Sequence, residues 1–593
     1  MSSAIGLGNL LRFPGVVYNA DAGLAFFIPY GLGLTLVGIP ILTLELVLGQ
    51  TSRSGDLLAF GNIHKRLRGI GVASAHTSYT VALYYNVIIA WILLYFVRSF
   101  QSNLPWAAGT GERLTVSADY FSNNIVQAVA NPSDTKHIIG ATFVAGIFAW
   151  AFVYLSISKG VLTAGRVVQF TMTLPTIFVA ILVIRGVTLT NAGAGIELYF
   201  GRFDISKLSV GSVWVDAISH IFFSIGIGFG VMTAYASYNS RHQDAVQDAF
   251  IIGFSNSAFE VIAGFSVFGV IGFLGPENVK GMVGTFSMGF ITYPVALSNL
   301  PAPQFWNVLF FFTLFLLGLG SAFSLVEGAS TTLKDSRWLS KYPGQTISGV
   351  LCIIGVLFLG LYASDIGIHA LDTVDTFINS IGMIFLGLVK VWAAGTWYRA
   401  DEARHRVGSP AFFLFNAAWV VAPIAGTIIG YVSNLAIGLG VGLGLCAVLA
   451  VGGCSLAMKH GGRSAIFDLF FFQSRELVND INSVIATRNQ TRLPIAWAVI
   501  IKYITTPALC ILQVVTYRGV VVEKIDMPMS WLGLTFALLV PLMLMVGLVA
   551  PDFYTFLVPI KKPVVDVFDH NQITGDEITQ VHQERDKSAA TVT

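Results

Sequence analysis

Apolar residues run through this chain in blocks of about twenty, separated by short polar stretches, almost from one end to the other. Blocks cover 24–48, 78–100, 138–157, 167–189, 213–238, 248–274, 305–330, 345–363 and 376–398, then 411–432, 436–457, 494–517 and 530–550. A helix rising 1.5 Å per residue crosses the roughly 30 Å hydrocarbon core in about 20 residues, so each block predicts a membrane span. One more apolar stretch, Ile5 to Val17, opens the chain and is interrupted by Gly6, Gly8, Arg12 and Pro14. The pattern predicts an all-α polytopic membrane protein of about fourteen segments. No charged region, apolar region and cleavage site precede the first span, so no removable signal peptide is expected.

Composition agrees. Charged residues are 11% of the chain, against about 25% in soluble proteins, and hydrophobic residues are 55%. The formal net charge of +2 and the absence of any glycine triplet period among 60 glycines exclude nucleic-acid-binding, collagenous and disordered classes. The expected surroundings are a lipid bilayer, with no nucleic-acid partner. Cys352, Cys446, Cys454 and Cys510 all lie in apolar runs, where they read as small packing residues and not as a disulfide framework or zinc spacing.

Lysines and arginines in alternate loops set the orientation. Arg53, Lys65, Arg66, Arg68, Lys159, Arg166, Arg241, Lys334, Arg337, Lys341, Arg399, Arg404, Arg406, Lys459, Arg463, Arg475, Arg488, Arg492, Lys561 and Lys562 fall on one side. Arg98, Arg113, Lys136, Arg185, Arg202, Lys207, Lys280, Arg518 and Lys524 fall on the other. The richer side is read as cytoplasmic, together with the C-terminus. The sequon Asn489-Gln490-Thr491 lies on that side and is not expected to be glycosylated. The plasma membrane is the expected location.

Two stretches break the helical pattern with glycine: residues 3–14, and Phe222 to Gly230. They fall in the first and sixth segments, as two five-helix halves of inverted topology require, and paired breaks of this kind point to a midplane transport site. Close helix packing through glycine explains them equally well on glycine alone. Asn9, Arg12, Ser224, Asn256, Glu260 and Asp375 are polar or charged groups inside apolar spans, which favours function. Asn and Ser oxygens with unwound carbonyls suit sodium, and free N–H groups at a helix break suit a carboxylate.

At these residues the chain resembles the neurotransmitter:sodium symporter family, whose archetype is the bacterial leucine transporter. The motifs are GLGNLLRFP (6–14), AFFIPY (25–30), GIPILTLELVLGQ (38–50), ALYYNVIIAW (82–91), SKGVLTAGRVVQFTMTLP (158–175), IRGVTL (184–189) and IFFSIGIGFG (221–230). AYASYN (234–239), NSAFEVIAGF (256–265), LGLGSAFSLVEG (317–328), LDTVD (371–375) and RELVNDI (475–481) continue the series. The likeness covers 1–398 and 470–550, with eukaryotic-type motifs in the fourth and fifth helices. It implies an inverted-repeat five-plus-five helix core of leucine-transporter type, with additional C-terminal helices. On this reading 1–398 is the transporter core, 411–457 an extra apolar hairpin, 458–493 a cytoplasmic loop, 494–550 the last two family helices and 551–593 a cytoplasmic tail. The tail from Lys561 reads as solvated.

The resemblance also implies a site, position by position. Sodium as transported ion would meet Ala4, Asn9, Ser224 and Asn256 at a first site. A second would be formed by Ser2, Ile5, Leu317 and Ser321, with Gly320 standing where relatives carry an Asp or Thr ligand. A small amino-acid substrate would rest its carboxylate on Leu7, Gly8 and Tyr85, and its ammonium on carbonyls of Ala4, Phe223, Ser224 and Gly226. Ser3, Val81, Phe229, Ser321 and Leu325 would complete the pocket, with Tyr85 and Phe229 as an aromatic lid. Arg12 and Asp375 would form the outer gate. Glu260, four residues after Asn256, stands where chloride-dependent members carry a hydroxyl, and so would substitute for chloride. His220 replaces the family's usual glutamine and reads as a satisfied interior histidine. Glu45 and Lys390, also inside spans, read as buried structural pairs or interior-facing groups. Gly6 takes the place of the aspartate that holds the amine in monoamine carriers.

The chain begins where relatives already have a cytoplasmic segment and most of a half-helix, so an incomplete start is expected rather than a shortened transporter. The implied function is a sodium-coupled symporter importing a small neutral amino acid, apolar or aromatic, by alternating access and without chloride. No enzymatic chemistry is expected, since the loops carry no metal cluster or nucleophile–base motif. A non-transporting amino-acid sensor on the same fold is the alternative.

Overall fold

Lipid offers no partner for a free backbone group, so the apolar runs close their hydrogen bonds internally as helices. The computed structural model describes residues 3–107, 113–129, 131–135, 137–158, 161–240, 242–485 and 491–558. Ser2 of the expected second sodium site lies outside the described residues. So do Lys136, Lys159, Arg241, Arg488, Lys561 and Lys562 of the orientation argument, Asn489 and Gln490 of the sequon, and the tail from 559. Most of the described residues are helical, and the extended pairing among them is two isolated β-bridges, Gly23 with Phe203 and Ile138 with Ser364.

Twelve helices among them are long and apolar enough to cross a membrane, and two further segments are broken. In chain order, α1 is the wide turn Gly8–Arg12 running into Phe13–Ala20. Next come α2 (Leu24–Ser52), α3 (Lys65–Arg98), α4 (Gly140–Ser158) and α5 (Val161–Val187). The broken α6 comprises Gly211–Ile225 and Val231–Ala236. Then follow α7 (Ala245–Leu274), α8 (Pro303–Lys334), α9 (Gly344–Tyr362) and α10 (Gly367–Trp397). The last four are α11 (Ser409–Val432), α12 (Leu435–Ile485), α13 (Ile495–Val522) and α14 (Ser530–Val549). The chain is a multi-pass, all-helical membrane protein, with breaks in its first and sixth segments.

Two segments differ most from the sequence expectation. The first is α3, which starts well before residue 78 because its polar groups are satisfied within helices. Thr77 Oγ1 donates to the Ala73 carbonyl at 2.9 Å, and Ser78 Oγ to the Leu325 carbonyl at 2.7 Å. The second is 458–493, expected as a loop and helical through Ile485. α12 bends at Gly461 and Gly462, where Gly462 takes φ 67° and ψ −152°, and then resumes. The resumed helix buries Leu469, Phe472, Leu477, Val478, Ile481 and Ile485. Its apolar stripe recurs at helical spacing among polar residues, so it never accumulates the continuous apolar run by which spans were read.

That resumed helix fastens the extra hairpin to the core. Arg399 pairs with Glu476 at 3.0 Å and with Asp480 at 2.9 Å, and the Tyr398 hydroxyl bonds Asp480. The Gln473 amide donates to the Thr396 and Tyr398 carbonyls at the end of α10, while its oxygen accepts from Lys502 of α13 at 2.9 Å. α11 and α12 meet through glycines: a Cβ on Gly438 would stand 2.4 Å from Gly430 Cα. Small residues permit this approach where lipid supplies no hydrophobic drive between helices. Leu435, Leu439, Leu443 and Val451 face outward, exposed on the apolar rim.

Candidate functional site

At the head of α1, residues 3–6 are non-helical and the side chain of Asn9 takes over the work of the helix. Asn9 Oδ1 accepts the Gly6 N–H at 2.7 Å. In α6, helical hydrogen bonding stops at Ile225, and Gly226, Gly228 and Gly230 adopt φ of 79°, 90° and 73°. Any side chain at those angles would be strained, so the three glycines are what allow the helix to unwind.

A small cavity of about 40 Å³ lies between the two breaks. Ser3, Ala4, Gly8, Val81, Tyr85, Phe223, Ser224, Gly226, Phe229, Ser321 and Leu325 of the expected substrate set line it. Leu7 does not; its N–H instead points to the Tyr85 hydroxyl at 3.4 Å. Val231 and Ser324, which sequence reasoning missed, also line the wall. Both sit in ordinary apolar helical runs, and nothing in the pattern sets them apart. Tyr85 and Phe229 are buried, at 4% and 3% exposure, so the cavity is shut on their side.

Gly6 has a specific spatial reason to be glycine. A Cβ there would stand 2.3 Å from Ser321 Oγ and 3.5 Å from the Tyr85 hydroxyl. Gly6→Asp should therefore overpack the cavity at a cost of about 1–3 kcal/mol. Amino-acid binding to the purified protein, followed by scintillation proximity, should fall by roughly tenfold. Ser321→Gly added to Gly6→Asp should recover part of that loss.

Next to the cavity is a knot of polar groups from three helices, α1, α6 and α7. Asn9 Nδ2 donates to Asn256 Oδ1 at 2.8 Å, to Ser224 Oγ at 3.1 Å and to Glu260 Oε2 at 3.2 Å. Asn256 Nδ2 reaches Ser224 Oγ at 2.8 Å. Three of the four residues expected at the first sodium site are thus in mutual contact, and Ala4 lies on the adjoining cavity wall. The Asn9 amide faces the knot with its NH2 group, so ligation of a cation by its oxygen requires the amide to turn and release Gly6.

Glu260 is fully buried beside this knot. Its Oε2 accepts from Ser224 Oγ at 2.9 Å and lies 2.9 Å from His220 Nε2, while Oε1 meets the Tyr30 hydroxyl. Tyr30 is also 2.7 Å from Ser257 Oγ. His220 is thus satisfied at Nε2 only, since its buried Nδ1 has no hydrogen-bond partner among the described residues. Ser257 escaped notice because a lone serine in an apolar span gives no signal.

At the expected second sodium site, Ile5 and Leu317 are buried, with Leu317 1% exposed, and Ser321 lines the adjoining cavity. The Gly320 carbonyl accepts from Ser324 Oγ at 2.7 Å. Above the cavity, Arg12 Nη1 and Asp375 Oδ2 stand 3.8 Å apart, each side chain about a quarter exposed. Asp375 Oδ1 accepts from the Tyr84 hydroxyl at 2.6 Å and from Asn379 Nδ2 at 2.7 Å. The Arg12 guanidinium lies 4.5 Å above the Phe223 ring.

The model of the sodium:neurotransmitter symporter family matches residues 1–124 and 107–436 of the chain. The mouse sodium-dependent neutral amino acid transporter B(0)AT1 is 30% identical over 493 residues, covering 71% of this chain and 77% of the relative. The creatine transporter of Torpedo marmorata is 34% identical over 459 residues, covering 71% and 74%. The Drosophila melanogaster sodium- and chloride-dependent GABA transporter ine is 30% identical over 451 residues. That match takes in 70% of this chain but 48% of the relative, so the chain spans about half of its length.

Proposed function

The chain belongs to the sodium:neurotransmitter symporter family, and from that premise we propose that it imports a small neutral amino acid, apolar or aromatic, coupled to sodium and without chloride. The observation that carries this reading is the cavity between the two helix breaks, contiguous with the Asn9–Ser224–Asn256 knot. The substrate carboxylate would lie on the unwound N–H groups and the Tyr85 hydroxyl, and its ammonium on carbonyls of Ala4, Phe223, Ser224 and Gly226. Sodium at the knot would favour the outward-open state and substrate beside it would close the aromatic lid, and coupling by alternating access requires that their affinities differ between those states. Gly6 supplies no carboxylate for a bare amine, so the substrate brings its own.

The test is uptake into proteoliposomes under an inward sodium gradient, with leucine, tryptophan, glycine and dopamine as competitors. Leucine or tryptophan should compete, and removal of sodium should abolish accumulation. Selective competition by dopamine would refute the amino-acid reading. Gly320, which brings no side-chain oxygen to the second sodium site, favours the sensor alternative, and sodium-dependent binding with no accumulation would establish it.

A further inference from the structure

A separate group of ionisable residues meets the break in α6. Glu45 of α2, Asp56 of the segment joining α2 to α3, and Lys390 of α10 are all at most 1% exposed. Lys390 Nζ stands 2.6 Å from Glu45 Oε1 and 2.6 Å from Asp56 Oδ2. Glu45 Oε1 accepts the Gly228 N–H at 3.0 Å, and Lys390 Nζ donates to the Gly228 carbonyl at 3.3 Å. Ser74 of α3 donates to Asp56 Oδ2 at 2.6 Å, and the Phe60 ring lies 5.8 Å from the ammonium. The charged groups acting on Glu45 are Lys390 and Asp56, and those acting on Lys390 are Glu45 and Asp56. On the same joining segment, Arg53 is turned to the Asn239 carbonyl, and His64 accepts from the Arg66 N–H.

Two carboxylates and one ammonium leave one negative charge in excess. Each carboxylate also keeps one oxygen, Glu45 Oε2 and Asp56 Oδ1, buried and with no hydrogen-bond partner among the described residues. An uncompensated charge in a membrane interior costs several kcal/mol and draws in a counter-charge. A metal ion is a poor candidate, because the ammonium already between the carboxylates repels it and two free oxygens do not fill a coordination shell. A proton needs one oxygen and brings the group to neutrality.

We infer that Glu45, Asp56 and Lys390 form a proton-binding site, with one proton from the aqueous phase held on either of the two free carboxylate oxygens. Its occupancy is linked to the α6 break, because both polar groups of the Gly228 peptide are bonded to this site. Two residues before Gly228 is the cavity wall at Gly226, and the next residue is the lid Phe229. When the break reshapes, Glu45 loses a donor to its ionised form and its proton affinity changes. By reciprocity, the proton biases the break.

The inference rests on the transport reading only where uptake is measured, so the first readout is spectroscopic. Infrared spectra of the purified full-length chain in H2O and D2O report the C=O stretch of a protonated carboxyl. The band is expected in wild type, in Glu260→Gln and in the conservative Asp56→Glu. It should be lost in Asp56→Asn and in Glu45→Gln, each of which leaves Lys390 balanced by one carboxylate. In proteoliposomes, wild-type uptake should fall about tenfold per unit of rising pH once the proton is lost, the slope of a single linked proton. Asp56→Asn, which mimics the protonated acid, should hold its uptake within about twofold over the same range. Absence of the band in wild type, its loss in Glu260→Gln, or its survival in both Asp56→Asn and Glu45→Gln would overturn the proposal. Sodium-dependent uptake with an unchanged pH slope in Asp56→Asn would overturn it too, while leaving the transport reading intact. An intact band without any uptake does the opposite.

Discussion

Replacing Glu260 by serine should convert the transporter from chloride-indifferent to chloride-dependent. In wild type, exchanging chloride for gluconate should leave uptake unchanged. In Glu260→Ser, uptake in gluconate should fall at least tenfold and return when chloride is restored, an energy of about 1.4 kcal/mol or more. The reason is electrostatic. Glu260 Oε2 is within 3.2 Å of Asn9 and 2.9 Å of Ser224, so its charge acts on any cation bound at the knot from a few ångströms through a low-dielectric interior. Serine removes that charge but leaves Tyr30, Ser257 and His220 around the space, all of them able to donate to an anion. Wild-type uptake that collapses in gluconate would end this account.

The second large effect is expected at Asn256. Asn256→Ala should reduce sodium-dependent uptake about a hundredfold, and Ser321→Ala only a few-fold. Asn256 bonds both Asn9 and Ser224, so alanine removes two hydrogen bonds from a buried knot, at about 0.5–1.5 kcal/mol each, besides removing the oxygen proposed to meet sodium. Ser321 faces Gly6 and Tyr85 in the cavity, and its loss opens space without dismantling a network. Sodium titrations of uptake distinguish the two, and the opposite ranking would mean that the ion binds mainly beside α8.

The helices and the two breaks were legible in the sequence because lipid makes both conspicuous. An apolar run of about twenty residues has one stable conformation in a bilayer, and Gly226, Gly228 and Gly230 interrupt such a run where nothing else would permit it. Glu45 and Lys390 were legible as paired or interior-facing groups for the same reason, since a lone charge in a span needs a partner. Asp56 was not. It lies in the polar joining segment TSRSGDLL, where an acid is ordinary, and only the fold carries it to Lys390. The helix after Gly462 was hidden likewise, because its buried face alternates with charged residues that make its ion pairs.

The two halves of the Arg12–Asp375 contact are not equally free. Asp375 is clamped by Tyr84 from α3 and by Asn379 one turn along α10, and α10 is itself tied at its far end by Tyr398 to Asp480. Arg12 rests on Phe223, beside the unwound part of α6. If α1 and α6 tilt together, the guanidinium departs with its aromatic support while the carboxylate stays where it was, already aimed. Opening then breaks one contact without scrambling either partner, and reclosure needs no search for a rotamer. The gate's return stroke would be limited by the swing of two helices, not by the reassembly of the latch.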